Sequence, residues 1–166
     1  LRSAFLATGQ IGIVLSGGGV PLDAVRVDYA AGAIEAMTLA AGEADWMFLE
    51  GQGSLLHPGS SATLPLIRGF CPTHFVLCHV AGRTVHPMFD WIRMPPLAQV
   101  AKLYEDVAAT CGAFPRPRTA GITLNTSAMT QNEAALAVEQ VEAETGLVTT
   151  DVIRFGPERL LDALAS

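Results

Sequence analysis

Asp45-Trp46-Met47-Phe48-Leu49-Glu50-Gly51-Gln52-Gly53-Ser54-Leu55-Leu56-His57-Pro58-Gly59 is the stretch that decides the fold. It opens with four large apolar residues bounded by an acid and by glycine. Such a run is short enough for a strand and apolar enough to be buried on both faces. It closes on a carboxylate, Glu50, and then on Gly51-Gln52-Gly53, which lets backbone approach a ligand with no Cβ in the way. In open parallel sheets ligands sit beyond the carboxyl ends of the strands. The tip of this strand is therefore a place for chemistry. The plainer alternative is a solvated acid and a turn.

Outward from this stretch, strand and helix patterns alternate. Upstream lie a short strand at 3–7, with Thr8 and Gln10 at its tip, and an extended segment at 11–15. A triple glycine, Gly17-Gly18-Gly19, makes a turn. Pro21-Leu22-Asp23 opens a helical pattern with Val25, Tyr29, Ala33 and Met37 at i, i+4 spacing and Asp23 placed as its cap. Asp28 lies in the apolar body of that segment, either on the solvent face or aimed at a site. Downstream, Ser60-Ser61 is placed to cap a short helix through Leu64, Leu66 and Ile67. A strand at 74–79 ends on His79, and a long loop carrying Arg83 and His86 runs to Pro95-Pro96. Residues 97–111 form an amphipathic helix with Val100, Leu103, Tyr104 and Val107 on one face. The next strand, 119–126, ends on Asn125. Thr130 and Glu133 have capping-box spacing, and Gly146 stops the helix they open. A short strand at 147–152 and a helix at 157–164 close the chain. This alternation predicts an α/β fold, a mainly parallel sheet flanked by helices, organised as a single domain over 1–166. Right-handed crossovers then put Gln10, Glu50, His79 and Asn125 on one rim.

Composition narrows the function. The chain has 166 residues, half of them hydrophobic, and a net charge of −6. Its one lysine, Lys102, and its nine arginines are scattered, with no basic stripe for a nucleic acid. No apolar run reaches the roughly 18 residues of a membrane span, and no secretory leader is read at the start. Cys71, Cys78 and Cys111 have no C-x-x-C spacing, which suits a reducing cytoplasm rather than a disulfide framework or a zinc knuckle.

Glu50 has the Walker-B layout, an acid closing a hydrophobic strand that holds Mg²⁺ or orients a water. The partner of that layout is a Gly-rich loop ending in Gly-Lys-Ser/Thr. It is absent here, since Lys102 follows Ala101 inside a helix. A nucleotide site is not complete within these residues. The histidines show no H-x-x-x-H spacing, so no metal site is expected unless Glu50 serves a Mg²⁺-dependent reaction. His57 and His79 read as proton carriers or ligand hydrogen-bond partners, or equally as structural residues. Arg83 suits a bidentate clamp on a carboxylate or phosphate, or a surface ion pair. Ser54 lacks the nucleophile-elbow context.

Four blocks, Ala7-Thr8-Gly9-Gln10, the run from Glu50 to Pro58, Leu77-Cys78-His79 with Gly82-Arg83-Thr84, and Gly121-Ile122-Thr123-Leu124-Asn125-Thr126, together resemble a known family. It is the carboxyl-terminal domain of a bacterial P-loop family, long catalogued as a domain of unknown function, that includes DgcN-like D-glutamate N-acetyltransferases. Glu50-Gly51-x-Gly53 is more distantly similar to dethiobiotin synthetase. The resemblance implies a P-loop NTPase-like fold whose Walker A loop lies upstream of Ser3, so that this chain is a carboxyl-terminal fragment of a larger protein and inactive by itself. It also implies a small carboxylated substrate and acetyl-CoA as donor. On that reading the full-length protein acetylates the amine of a D-amino acid such as D-glutamate. Glu50 or His57 takes the amine proton, and Arg83 holds a carboxylate. Gln10, Gln52 and Asn125 donate hydrogen bonds, and Thr8, Asp28, Gly53 and His79 complete the binding set. Two alternatives stay open. One is an ATP- and Mg²⁺-dependent ligase or kinase resembling dethiobiotin synthetase, and the other a non-catalytic oligomerisation fragment. The low charge and high apolar content suit a homo-oligomer in any of these cases.

Overall fold

Ser3–Leu6 and Trp46–Leu49 pair as parallel strands β1 and β2, in register from Ser3 opposite Trp46 to Leu6 opposite Leu49. They anchor the first of two compact units, Leu1–Cys71 and Pro72–Ser166, in the computed structural model, which describes residues 1–166. The crossover from β1 to β2 contains helix α1 (Gln10–Ser16), a 3₁₀ turn at Leu22–Ala24 and helix α2 (Val27–Ala40).

Several expectations for this unit are corrected. Residues 11–15 are helical rather than extended. A short apolar run cannot be assigned by periodicity, and here Gly12 is the one residue of α1 that is buried. Ile11, Val14 and Leu15 point outward at 78%, 80% and 81% exposure. The pattern opened by Pro21 is a single 3₁₀ turn, and α2 begins only after Arg26. Asp23 does not cap α2, because its carboxylate accepts from Gln10 Nε2 at 3.1 Å. The buried face of α2 is Ala30 and Ile34, packed with Leu22 and Leu66, while Tyr29 is exposed. Helix α3 (Thr63–Phe70) follows β2 with Ala62 at its N-cap and no side-chain cap from Ser60 or Ser61. Gly69 lets α3 approach α2 so closely that a Cβ there would strike the Ala31 carbonyl. Strand β2 is half-buried, not buried on both faces, and Phe48 is exposed.

The second unit opens with β3 (His74–Val80). The predicted long loop after it contains an antiparallel hairpin, β4 (Val85–His86) and β5 (Phe89–Arg93). Helix α4 (Leu97–Ala109) leads to β6 (Arg118–Asn125), α5 (Gln131–Thr145), β7 (Val148–Thr150) and α6 (Glu158–Ala165). Strands β3, β6 and β7 form a parallel sheet in the order 3-6-7. Central β6 carries the core residues Ile122 and Leu124, with Val138 of α5 packed beside them. Gly121 is required there, since a Cβ would meet the Leu160 side chain at 2.6 Å. Helix α4 buries Val100, Ala101, Ala108 and Ala109, not the full predicted face, and Leu103 is exposed. The capping box of Thr130 with Glu133 is present, and Gly146 closes α5 in the left-handed conformation with φ 69°. No helix is long and apolar enough to cross a membrane.

Candidate active site

In the first unit the strand tips of β1 and β2 are stitched together by one acid. Thr8 N–H and Gly9 N–H both donate to Glu50 Oε2 at 2.8 Å. Thr8 Oγ1 donates to the Glu50 carbonyl at 2.8 Å, and Glu50 N–H continues the ladder to the Leu6 carbonyl at 2.9 Å. Main chain and side chain of Glu50 are thus both fixed. The carboxylate also lies where α1 starts, which suits an anion. Glycine is needed twice around it. A Cβ at Gly12 would collide with Glu50 Oε2, and one at Gly9 would collide with Gln52 Nε2. The chain segment Thr8-Gly9-Gln10-Ile11-Gly12 is therefore a cradle for a carboxylate.

The turn after β2 is fixed in the same way. Gly53 adopts φ 67°, and a Cβ there would strike Ser60 Oγ. Thr63 Oγ1 donates to the Gln52 carbonyl at 3.2 Å. His57 Nδ1 accepts from Gly59 N–H at 3.0 Å. A neutral imidazole that accepts at Nδ1 carries its proton on Nε2. In that tautomer the ring presents an N–H at Nε2. Gln10 is exposed and holds Asp23. Asp28 is exposed in the first turn of α2. The structure thus brings Thr8, Glu50 and Gln52 together and leaves Asp28 on a solvated face.

In the second unit β6 ends on Asn125, whose Oδ1 accepts from Ser127 N–H at 3.0 Å. That bond orients the amide so that Nδ2 faces away as a donor. The Asn125 carbonyl accepts from Ala81 N–H at 3.1 Å, which ties the turn after β3 to this tip. Gly82 takes φ 73° in that turn, and Arg83 N–H donates to the Val80 carbonyl at 3.2 Å. His79 is half-buried. Burial and then the Arg83 guanidinium lower its pKa, against a contact with the Arg83 backbone that raises it. His79 is therefore a neutral imidazole at neutral pH.

Asp151, directly after β7, is a buried strand-tip acid that sequence reasoning missed. It is 5% exposed. Thr126 donates to its Oδ2 from N–H at 3.1 Å and again from the hydroxyl, while Ile153 N–H and Arg154 N–H donate to Oδ1 at 3.0 and 3.2 Å. Burial pushes this carboxyl up, but the Thr126 hydroxyl and the three backbone N–H groups outweigh it and hold it below the usual range. Arg154 ties the loop after β6 by donating to the Thr126 and Met129 carbonyls at 3.2 and 2.7 Å. The device matches that of Glu50 and Thr8: an acid past one strand takes the N–H of a threonine past its neighbour. The shared signal is an acid that directly follows a short apolar or β-branched run.

Residues 1–161 match the family model described as a domain of unknown function, the DUF1611 carboxyl-terminal P-loop domain. The chain belongs to the DUF1611 family. This DUF1611 chain is 39% identical to a D-glutamate N-acetyltransferase of Tritonibacter scottomollicae over all of its own length and 50% of that protein. It is 33% identical to a D-glutamate N-acetyltransferase of a Pseudoalteromonas species, over 95% of the chain and 47% of that protein. A crystal structure of a DUF1611 family protein from Anabaena variabilis superposes with a TM-score of 0.96 at 54% identity, covering 99% of this chain and 48% of the other. The DUF1611 chain thus spans about half the length of the proteins it matches. The α/β fold with parallel strands flanked by helices is that of the family's P-loop domain.

Proposed function

We propose that this DUF1611 chain belongs to an N-acetyltransferase that acts on the amine of a D-amino acid such as D-glutamate, with acetyl-CoA as donor. Two named relatives support the acyl transfer, at 39% and 33% identity. The observation that carries the role of this chain is the Glu50 clasp. In the reaction an N–C bond forms, the C–S bond of the thioester breaks, and the attacking amine loses a proton. Glu50 suits that proton, because two backbone N–H groups pin Oε2 and hold the carboxylate in one orientation. The Gln52 amide beside Gly9 and the Nε2–H of His57 fit as donors to the oxygen that gains charge. Acetyl-CoA supplies the activated acetyl group when bound. In the second unit, the Arg83 guanidinium and the Asn125 Nδ2 are donors suited to an anionic group.

In the ATP- and Mg²⁺-dependent reading Glu50 is the acid that helps organise the hydrated ion. Mg²⁺-dependent ATP turnover would be its signature. The free cysteines Cys71, Cys78 and Cys111 support placement in a reducing cytoplasm. The outward apolar side chains of α1 support self-association, which light scattering reads.

The test uses the full-length protein with acetyl-CoA and D-glutamate and follows free thiol. Release of thiol is expected, with Glu50→Gln lowering kcat by about 100-fold or more. No release across a panel of D-amino acids overturns the reading.

A further inference from the structure

The backbone at Gly9 does not call for glycine. With φ −110° and ψ 159° it lies in the extended region, which any residue adopts. What keeps a side chain out is the neighbourhood. A Cβ here would collide with Gln52 Nε2 and come within 3.2 Å of Glu50 Oε1. These two atoms therefore lie together against the bare Cα of Gly9, and all three residues belong to the first unit.

The two atoms are complementary in kind. Glu50 Oε2 takes the N–H groups of Thr8 and Gly9, whereas Oε1 accepts none. The clasp on Oε2 thus holds Oε1 still with its lone pairs unused. The main chain of Gln52 is fixed by the bond from Thr63 Oγ1 to its carbonyl, while its side-chain amide donates to no protein group. No side-chain nitrogen or oxygen in the chain is both buried and unbonded. Both atoms therefore reach the open side of the site. A charged acceptor beside a neutral donor matches a centre where a nitrogen sheds its proton while the oxygen on the attacked carbon gains charge.

We propose that Gly9 is a positioning residue for the acetyl transfer. Having no side chain, it seats the Gln52 amide beside Glu50 Oε1, so that Oε1 takes the amine proton and Gln52 Nε2 holds the acyl oxygen of the same tetrahedral centre. As the N–C bond forms, the carbonyl electron pair moves onto that oxygen. When the pair returns, the C–S bond breaks, and the proton on Oε1 passes to the leaving sulfur. Glu50 ends as a carboxylate and the thiol is free. The inference rests on the acetyltransferase reading above. It adds which oxygen of Glu50 reacts, and it makes the work of Gln52 depend on position 9.

The experiment is a double-mutant cycle on the full-length protein, with free thiol followed at varied acetyl-CoA and D-glutamate. Gln52→Ala is expected to lower kcat about 100-fold. Gly9→Ala should lower it by a similar factor, because its methyl turns the amide away. The double variant should be no slower than either single one, since each change removes the same donor. KM for both substrates should stay near that of the unaltered protein, which a general loosening of the site would not allow. The backbone at position 9 accepts alanine, so melting temperatures should shift by no more than about 4 °C. Losses that multiply in the double variant overturn the proposal, because position 9 then acts through something other than Gln52. So does a Gln52→Ala protein with kcat unchanged. So does a Gly9→Ala change that unfolds the protein even with alanine at 52, since the methyl then strikes something besides the amide. An unaltered protein that releases no thiol with any D-amino acid overturns the acetyltransferase reading and this inference with it.

Discussion

Glu50 is held harder than an acid at a strand tip needs to be, and Gly12 is the reason it can be. A methyl at position 12 would occupy the space of Oε2. Gly12→Ala is expected to break the clasp and to cost roughly 1–3 kcal/mol, read as a lowered urea midpoint with the m-value unchanged. Glu50→Gln tests the charge alone: it keeps the volume and should spare most of the stability while removing the proton acceptor. At His79 the charge of Arg83 works against protonation. Arg83→Gln should therefore raise the His79 pKa, which a proton NMR titration of the imidazole follows. An unmoved or lowered value contradicts the geometry. Some of this was legible in residue order. Glu50, Gln52 and Asn125 stand out because they follow apolar runs. The tautomer of His57 was not legible, because it depends on a bond to Gly59 N–H two residues on. Asp28 allows a solvent-facing or a site-facing reading in residue order alone, and α2 turns it to solvent.

Elements with a local device were readable, and those with a non-local partner were not. The α5 cap is spelled out by Thr130 and Glu133, and its box forms as written. Thr130→Ala should cost about 1 kcal/mol in thermal or urea unfolding. Helix α1 was misread because the bonds that fix its start come from Glu50, far along the chain. The hairpin was missed because Val85-His86 and Phe89-Asp90-Trp91-Ile92-Arg93 flank a two-residue Pro87-Met88 connection without the usual glycine or asparagine. The end of α4 carries a different signature. Thr110, its C-cap, takes φ 47°, a left-handed conformation that a β-branched residue adopts at a cost. Thr110→Gly should raise stability by about 1 kcal/mol, despite loss of the hydroxyl bond to the Val107 carbonyl. A lower melting temperature in that variant would show the bond outweighs the strain.

Over the whole chain, the acids decide how it meets low pH. The Thr126 hydroxyl and three N–H groups keep Asp151 below the usual carboxylate range despite its burial. A bond from Arg159 does the same for Glu142, and one from Lys102 for Asp106. A carboxyl whose native pKa is depressed contributes stability that is present above its unfolded value, about 4. That stability is lost as pH falls through the native value. Urea midpoints should hold from pH 7 to about 5 and then drop below pH 4. Asp151→Asn should start lower and fall less, and a midpoint as high at pH 3 as at pH 7 would contradict this account. The α/β class was legible at this scale because alternating patterns need no partner to be seen. That each unit holds its strand tips with a threonine and an acid was not, since the two partners lie 42 residues apart in one case and 25 in the other. The cradle around Glu50 also has a genetic consequence. Every missense change at the Gly12 codon adds a Cβ, so none is conservative. Saturation mutagenesis should find that position uniformly intolerant, whatever the chemistry of the replacement, while exposed Ile11 beside it drifts freely.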